Sequence, residues 1–480
     1  MFFCAPYKLA KPLTGFALLA IFTLACCKPA KAQNATDGAK IIADTLELKL
    51  PDHFRQPRKK NFWRAGGELL LAEAIPFSYS KFISKAPYAN VTWSSIKHNI
   101  KPGSWTWDKD IFKTNQFGHP YHGSLYFNAF RSNGYTFGQS ALATAAGSYL
   151  WETFGENEPP SPNDFVNTTF GGVVLGEMTH RLANRIVNNR ATGFKRQMNE
   201  VIGFIVNPMN GLNRIIDGKW GKVNRNTADY DSTKISVELD LGARRFNPNS
   251  YSLPGAKGKF GWFARAKFIY GNPYDDYSTP FSNIIVNVEL GQDDSSKVNA
   301  INVYGSIAGW ELRNSDRIKH LAILSANYDY YENEAFFYGG QSVKMNLFSQ
   351  YQLLDNVKLN TAFSAGAVIL AAVPNTYVYN ERNYDYTSGA SIGGSGSLNI
   401  TDRFFFGLDY RGAWLKTVNG NNSHYFLHTL TSEVRYRALK NLSVLAEPGY
   451  FILEGKYDEH PDVNKKYPFL RVSARYTFDL

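Results

Sequence analysis

The chain has 480 residues, of which 15% are aromatic and 19% charged, and its formal net charge is +11. The composition shows no polar low-complexity excess, which excludes an intrinsically disordered chain. Beyond residue 30 no stretch of about 18 apolar residues occurs, which excludes ordinary membrane-spanning helices. Many aromatic residues with few long apolar runs are typical of a protein built from amphipathic strands.

The first 32 residues have the organisation of an export signal. Lys8 and Lys11 precede an apolar core over 13–27, and Ala30-Lys31-Ala32 offers a cleavage site before Gln33. Lipidation at Cys26 or Cys27 is the alternative, because Leu24-Ala25-Cys26-Cys27 resembles a lipoprotein box. We therefore predict a signal peptide over 1–32.

The charge and the cysteine content of the mature chain limit the classes of partner that we expect. The segment 1–32 carries four Lys, no acidic residue and all three cysteines, so its removal lowers the net charge from +11 to +7. A cysteine-free mature chain has no disulfide or thiolate chemistry. The modest positive charge suits anionic membrane lipids, and no nucleic-acid motif is present. We expect outer-membrane lipids and the outer-membrane assembly machinery as partners, and no nucleic acid.

From about residue 233 apolar and polar residues alternate. Leu470, Val472 and Ala474, for example, alternate with Arg471 and Ser473. A soluble sandwich and a membrane barrel share this alternation, but the segments reach the roughly 9–11 residues that a tilted membrane-spanning strand needs. Twelve such segments follow, near 233–246, 259–270, 282–290, 299–313, 318–331, 335–353, 356–372, 385–400, 403–417, 424–438, 441–455 and 467–480.

The predicted architecture is therefore a transmembrane antiparallel β-barrel of about 12 strands in the outer membrane of a Gram-negative cell. Bacterial outer-membrane barrels have an even number of strands, with long loops outside and both termini in the periplasm. The polar segments 373–384 and 456–466 are predicted to be long external loops, and Asp355 to lie in a tight periplasmic turn.

The chain before the barrel divides into a mixed region, 33–118, and a helical domain, 119–232. In the mixed region, a helical patch over 68–74 is expected to stop at Pro76, and 91–118 is expected to form a loop with short strands. Helical spacing in the domain predicts helices over 123–131, 139–156, 163–189 and 193–206.

This helical domain holds the residues most suited to chemistry. Glu152 and Glu156 share one helix face, as do Glu177 and His180. Small residues between them should let the helices approach closely. The candidate catalytic residues are His119, His122, Glu152, Glu156, Asp164, Glu177 and His180. A Glu-x-x-His step occurs in di-metal sites, so Glu177 and His180 are also candidate metal ligands, while any cofactor stays unknown.

Several short sequence motifs of the helical domain resemble those of a known family. They are His119-Pro-Tyr-His-Gly-Ser-Leu-Tyr-Phe-Asn, Arg131-Ser-Asn-Gly-Tyr, Trp151-Glu, Pro160-Ser-Pro-Asn-Asp164 and Gly171-Gly with Gly176-Glu and His180-Arg. Over roughly 95–220 the chain is similar to domain-of-unknown-function 3943, an uncharacterised bacterial outer-membrane family. The resemblance implies an outer-membrane barrel and supplies no reaction.

Three functions remain open from the sequence. The charged residues can pair with one another and with the lumen, so that the helical domain forms a plug or scaffold in or under the barrel. The His/Glu/Asp set can instead serve an envelope lipid-modifying hydrolase or transferase, with Ser124, Ser132 and Ser140 as candidate nucleophiles. An outer-membrane channel or transporter is the third alternative.

Overall fold

The computed structural model describes residues 59–223, 233–254, 258–292 and 297–479. The predicted signal peptide and lipidation cysteines, and residues 33–58 of the mixed region, lie outside these residues. Within the described ranges, no helix has both the length and the apolarity needed to cross a membrane.

The described part of the chain before the barrel is helical. It contains eight α-helices: α1 Phe62–Ser78, α2 Trp93–Asn99, α3 His119–Arg131, α4 Phe137–Leu150, α5 Pro162–Val166, α6 Gly172–Val187, α7 Gly193–Val206 and α8 Pro208–Ile216. Five-residue π-helical turns extend α1 (Tyr79–Ile83), precede α3 (Thr114–Gly118), follow α4 (Trp151–Gly155) and join α5 to α6 (Asn167–Gly171). The expectation of short strands over 91–118 is wrong, because this segment forms α2 and single helical turns.

Pro76 does not end its helix, contrary to the sequence prediction. It lies inside α1, where proline removes the N–H that would bond the carbonyl of Ala72 four residues earlier. The Nε2 atom of His122 lies 2.9 Å from that carbonyl oxygen. A side chain from α3 thus replaces the lost main-chain donor, which lets α1 continue through the proline.

The second half of the chain forms a closed antiparallel barrel of twelve strands in sequential order. The strands are β1 Ile235–Phe246, β2 Lys259–Tyr270, β3 Ile284–Gly291, β4 Val298–Asn314, β5 Ile318–Glu332, β6 Phe337–Leu354, β7 Val357–Tyr379, β8 Arg382–Ile400, β9 Phe404–Asn419, β10 Ser423–Arg437, β11 Leu442–Tyr457 and β12 Val463–Asp479. Closure comes from β1 against β12, with Leu239 opposite Tyr476. The predicted strand number and order are confirmed.

Loop lengths differ from the prediction at one end of the barrel. We call the end that carries Ile235 and Asp479 the C-terminal end, and the opposite end the distal end. The predicted long distal loop 373–384 is mostly strand, since β7 and β8 meet at a tight turn after Tyr379. Asn380 and Glu381 fill this turn with positive φ angles. The second predicted loop, 456–466, shortens to the turn between β11 and β12.

Alternation along the strands separates a charged lumen from an apolar outer wall. Inside the lumen, Arg265 of β2 donates a hydrogen bond to Glu447 of β11 at 2.8 Å, and Arg471 of β12 donates one to Glu289 of β3 at 2.7 Å. Neighbouring residues point outward and are apolar and exposed, as at Leu408 (54%). Charge inside and exposed apolar side chains outside are the inverse of a soluble sandwich, so the barrel is built to span a membrane.

Side chains of the barrel itself fill much of the lumen. At the distal end, inward-facing apolar residues form a buried cluster that includes Phe246, Tyr425, Tyr467 and Phe469. Below it lies a cavity of about 120 Å³, lined wholly by barrel residues such as Arg244 and Tyr331. This cavity is smaller than the ~300 Å³ at which ordinary ligand pockets begin.

The helices pack on the outer wall of the barrel. Tyr331 lines the lumen cavity, so its neighbour Tyr330 points outward by alternation, where Phe112 stacks on it at 5.4 Å between ring centroids. On β8, Asp385 bonds Tyr425 inside the lumen, whereas Tyr386 points outward and is fully buried. The described helices therefore do not enter the lumen, and the prediction of a helical plug is wrong for them.

The inner helices of the helical domain approach very closely. A Cβ atom on Gly172 of α6 would lie 2.5 Å from the backbone carbon of Gly123 in α3, and one on Gly176 would lie 2.7 Å from Phe127. A pair of glycines four residues apart is a common packing device of helices in membranes. The predicted role of the small residues is confirmed.

Candidate functional site

His119 lies at the start of α3, between a carboxyl group and a hydroxyl group. Its Nε2 atom is 3.3 Å from Oδ1 of Asp164, and its Nδ1 atom is 3.2 Å from Oγ1 of Thr168. Asp164 and Thr168 are one helical turn apart on the segment that joins α5 to α6, which places both on the side facing α3. An imidazole held between an acid and a hydroxyl is an arrangement used for general base catalysis.

The motif Pro-Ser-Pro-Asn-Asp at residues 160–164 positions the carboxyl group of Asp164 and connects it to the barrel through a hydrogen bond. Ser161 caps α5, and Pro162 stands at its first position, which suits a proline. The amide nitrogen of Asn163 is 2.9 Å from Oδ1 of Asp164 and 2.7 Å from the hydroxyl of Tyr386 on β8. The outer barrel wall thereby fixes the orientation of Asp164.

Glu152 and Glu156 form a second pair of acids behind Asp164. The backbone N–H of Ser161 donates to Oε2 of Glu152 at 2.7 Å. Burial raises the pKa of Glu152 well above its ordinary value, and the charges of Glu156 and Asp164 raise it further. Burial and the nearby Glu158 raise the pKa of Glu156 to about 8. The pair therefore retains a proton at neutral pH.

The same surroundings shift His119 and Asp164 toward their uncharged forms. Burial lowers the pKa of His119, and the charge of His122 lowers it further. Burial raises the pKa of Asp164, and the charges of Asp108 and Glu156 add to this. At neutral pH the imidazole is therefore neutral, which is the form that accepts a proton.

Glu73 and Tyr126, which the sequence analysis did not identify, also lie at this site. Burial raises the pKa of Glu73, on α1, to about 8. Tyr126, on α3, is fully buried and lies within the electrostatic reach of Glu73, Glu152 and Glu156. Glu73 stands in the region treated as a short helical patch, so nothing local linked it to residues eighty positions later. We call Glu73, His119, Glu152, Glu156 and Asp164 the acid–histidine cluster.

This cluster has no basic partner in the part of the chain that the structure describes. No Lys or Arg there forms an ion pair with Glu152, Glu156 or Asp164. Arg382, a cationic side chain of the barrel, donates to the carbonyl oxygen of Asp108 at 2.8 Å and not to a carboxylate of the cluster. Buried acids without counter-ions cost free energy, and they concentrate at functional sites.

Glu177 belongs to a different cluster, contrary to the single-site prediction. It is fully buried on α6, and its carboxylate accepts hydrogen bonds from Arg131 at 2.7 Å and from Arg181 at 2.8 Å. Arg131 ends the helix that His119 begins, twelve residues and about 18 Å away along its axis. We call Glu177, Arg131 and Arg181 the paired cluster.

His180 and His122 also take other roles than predicted. His180 lies 3.0 Å from the side-chain nitrogen of Asn184, one turn along α6. His122 contacts the Ala72 carbonyl and the Tyr126 hydroxyl, each at 2.9 Å. His122 thus adjoins the acid–histidine cluster as a structural partner of α1, and His180 stays with α6.

The candidate nucleophiles Ser124, Ser132 and Ser140 stay predictions, and none of their hydrogen bonds in the described residues joins one to a histidine. Ser124 donates to the carbonyl of Tyr121, and Ser140 donates to the carbonyl of Thr136. Both hydroxyls are thus used by their own helices. The hydroxyl that meets a histidine is that of Thr168.

Glu177 and His180 were also candidate metal ligands. Both carboxylate oxygens of Glu177 accept hydrogen bonds from guanidinium groups, which leaves neither oxygen for a metal ion. Across the described ranges, no three His, Cys, Asp or Glu side chains are arranged to hold a metal ion.

The two clusters lie in one sequence module. Residues 104–209 match the family model "Domain of unknown function (DUF3943)". This confirms the resemblance noted from the sequence. The DUF3943 region contains the paired cluster and all of the acid–histidine cluster except Glu73. No curated protein matches the chain.

Solved structures that resemble part of the chain include two porins and a toluene transporter. The NanC porin is 9% identical, with a TM-score of 0.29, and the match covers 50% of this chain and 98% of the porin. The KdgM porin is 13% identical, with a TM-score of 0.23, and covers 50% and 99%. The Pseudomonas putida toluene transporter TodX is 9% identical, with a TM-score of 0.22, and covers 52% and 89%.

Proposed function

We propose that this protein is an outer-membrane enzyme whose helical domain hydrolyses or transfers an ester group of an envelope lipid. The observation that carries the proposal is the acid–histidine cluster: buried acids without basic partners surround an imidazole held between Asp164 and Thr168. A purely structural cluster would be expected to pair its charges, as Glu177 does.

The geometry supports distinct roles for the polar groups. His119 is neutral at physiological pH, so its free nitrogen can take the proton of a nucleophile as that nucleophile bonds the ester carbon. The nucleophile is either the Thr168 hydroxyl beside it or a water molecule. Burial lowers the pKa of His119, which makes it a weaker base than a free imidazole. Asp164 orients the imidazole through its other nitrogen. Glu156, with a pKa of about 8, is a protonated acid that can donate its own proton to the leaving oxygen as the ester bond breaks, and the proton taken up by His119 then restores the charge balance of the cluster.

Exposed aromatic side chains lie on the same helical segments as the cluster. Phe117 and Tyr121 stack on each other, and both are nearly half exposed. Phe154, between Glu152 and Glu156 in the sequence, is also exposed. Because these segments present aromatic side chains at the surface of the domain, we propose a substrate with an apolar body and an ester group.

The test compares outer-membrane lipid extracts by mass spectrometry. Cells would lack the protein or carry the wild-type chain, Glu152→Gln, His119→Gln, or Glu459→Gln, whose acid lies in an exposed turn of the barrel. We expect the wild type and Glu459→Gln to produce the same lipid change, and the two cluster variants to lose it at least tenfold. Identical profiles for all chains, with heat-modifiable gel mobility showing folded barrels, would contradict the proposal.

A scaffold function is the second candidate, and the contacts with the outer wall favour it. Asn115 and Asn163 each lie 2.7 Å from a tyrosine hydroxyl of β8. If scaffolding were the whole function, Tyr386→Phe should lower the barrel's thermal stability and Glu152→Gln should leave cells unaffected. A channel is less well supported, because cross-lumen ion pairs and the distal aromatic cluster occupy the lumen.

We further propose that both termini lie in the periplasm and the distal end lies outside. Cysteines at Asp462, in a distal turn, and Asp355, in a turn at the C-terminal end, distinguish the two orientations. An impermeant thiol reagent on intact cells should label the first and not the second. Asn375 is 2% exposed and is unsuitable as a probe.

A further inference from the structure

We infer that the helical domain lies in the lipid bilayer beside the barrel, with the outer face of α1 against lipid acyl chains. The domain packs on the outward faces of β5 and β8, where a barrel of this kind otherwise meets lipid. Contact with lipid there does not depend on the proposed enzyme activity.

The two faces of α1 differ sharply in polarity. Ala65, Glu68, Leu69 and Ala72 are buried against the rest of the domain, and Glu68 lies 2.9 Å from the amide nitrogen of Asn133. The opposite face exposes apolar side chains along its whole length and into the following π-helical turn. They are Phe62 58%, Trp63 86%, Leu70 61%, Leu71 44%, Ile75 63%, Tyr79 56%, Phe82 70% and Ile83 70%.

Such a face is unusual for water-exposed helices. A helix on a soluble domain places charged residues opposite its buried stripe. In α1 the basic Arg64 instead turns back to Asp217, with its Nη1 atom 2.6 Å from the carboxylate. The charges of α1 thus point toward protein, and the large exposed side chains of this surface are apolar or aromatic. Lys81, in the π-helical turn, lies over the ring of Phe77.

The length and course of α1 match the barrel wall. The helix with its π-helical turn covers Phe62–Ile83, which is about 33 Å long, close to the ~30 Å hydrocarbon core of a bilayer. By itself α1 does not combine the length and the apolarity needed to cross a membrane, but its inner face packs on protein, so only its outer face would meet lipid. The backbone N–H of Asn61, just before α1, donates a hydrogen bond to the carbonyl oxygen of Asn133, just after α3. Farther along α1, the carbonyl oxygen of Ala72 contacts His122 near the start of α3. The helix α1 therefore runs antiparallel to α3.

The direction of α3 follows from its contacts with the barrel. Gln116, just before α3, accepts a hydrogen bond from Tyr328 toward the distal end, while α6 runs alongside α3 and reaches the C-terminal end. There Arg185 donates to the carbonyl of Thr233 at 2.9 Å. Because α3 follows the barrel height, α1 does too, and its apolar face continues the outward apolar band of the barrel.

Two further observations agree with a lipid surrounding. The glycine-mediated contact of α3 with α6 is of the type that membrane helices use. The outer surface of α4 is also apolar, with Leu142 and Tyr149 exposed. We therefore assign outer-membrane acyl chains as the occupant of this surface.

The test measures nitroxide accessibility in the full-length protein reconstituted into phospholipid vesicles. Spin labels would be placed at Leu71 or Ile75 on α1, at Leu408 on the lipid-facing barrel wall, and at Asp402 in a turn, with any remaining native cysteines replaced. We expect the ratio of collision with oxygen to collision with a water-soluble nickel complex at Leu71 and Ile75 to match that at Leu408. It should exceed the ratio at Asp402 several-fold.

Either of two results would overturn the inference. A ratio at Leu71 and Ile75 like that at Asp402 would mean that the face meets water. Low collision rates with both reagents would mean that protein covers it, whether residues 33–58 or a second copy of the chain. Lys substitutions supply an independent measurement: Leu71→Lys should reduce membrane assembly several-fold, whereas Leu439→Lys, in an exposed barrel turn, should not. Equal assembly of both variants would also contradict the inference.

Discussion

The acid–histidine cluster and the paired cluster are both buried in the same helical domain, yet the pKa values of their glutamates are shifted in opposite directions. At Glu177, burial alone would raise the pKa, but Arg131 and Arg181 outweigh it and lower the pKa. At Glu152 and Glu156, burial raises the pKa and neighbouring acids add to the effect. The paired cluster is thus a structural device, whereas the other retains protons that chemistry can use.

Glu200, another buried acid of the domain, follows the paired arrangement. Glu200 on α7 accepts hydrogen bonds from Arg196 and from Arg214, the latter at 2.7 Å through both nitrogens. The chain therefore supplies arginines where an acid serves the fold. Their absence around Glu152 within the described residues is what makes that site a functional candidate.

The largest expected effect comes from breaking the paired cluster. Glu177→Gln leaves the buried guanidinium group of Arg181 and the half-buried one of Arg131 without a carboxylate, which should cost about 3–5 kcal/mol of unfolding free energy. Since the folded pKa of Glu177 is lowered, its contribution is present above the ordinary glutamate pKa and is lost as pH falls through the folded pKa. Thermal unfolding of purified protein should show a large loss for Glu177→Gln at pH 7 that shrinks in acid. An unchanged melting temperature at pH 7 would refute the structural role.

The contact that aligns α3 with α6 should be the next most sensitive. Gly172→Ala places a methyl group against the backbone of Gly123, and overpacking of this kind costs about 1–3 kcal/mol. Gly67→Ala on α1 is the matched control, because no atom lies within 4 Å of its Cβ position. That variant should instead be stabilised by up to about 1 kcal/mol through helix propensity. Equal unfolding temperatures for the two would mean that the close helix contact is absent.

The acid–histidine cluster should respond to the loss of an acid in the opposite direction. The pKa of Glu156 rises from 4.5 to about 8 on folding, so the folded state binds the extra proton and wild-type stability falls as pH rises between these values. Glu156→Gln removes this penalty. We expect it to gain about 1–2 kcal/mol at pH 8 and to equal the wild type near pH 4.5. Destabilisation at pH 8 would show that the Glu156 carboxylate is paired.

The smallest effect tests His122, which borders the acid–histidine cluster without belonging to it. Loss of its hydrogen bond to the Ala72 carbonyl in His122→Leu should cost about 1 kcal/mol. Pro76→Ala restores an N–H that can bond the same carbonyl. In a double-mutant cycle the cost of His122→Leu should therefore shrink in the Pro76→Ala background. Additive costs would indicate that His122 acts elsewhere.

Sequence patterns predicted the barrel well and the candidate site in part. A repeat of two residues over long segments gave the strand number and order, because lipid outside and charge inside demand alternation along every strand. Five of the seven predicted site residues cluster or adjoin one another around His119. Glu177 and His180 both lie on α6, but Glu177 pairs with Arg131 of α3 and with Arg181, and helical spacing alone cannot assign the partner of an acid.

Sequence by itself determined the closed membrane barrel, the helical domain before it and the residue types that can carry chemistry, since each follows from local periodicity and composition. Only the tertiary structure decided that the helices lie outside the barrel, that Pro76 continues α1, and that Glu73 joins residues from α3 to α5. These depend on contacts between distant segments: a tyrosine on β8 holding Asn163, and a histidine on α3 serving a carbonyl on α1. Such contacts are fixed by burial and hydrogen-bond satisfaction in the folded chain, which no local pattern encodes.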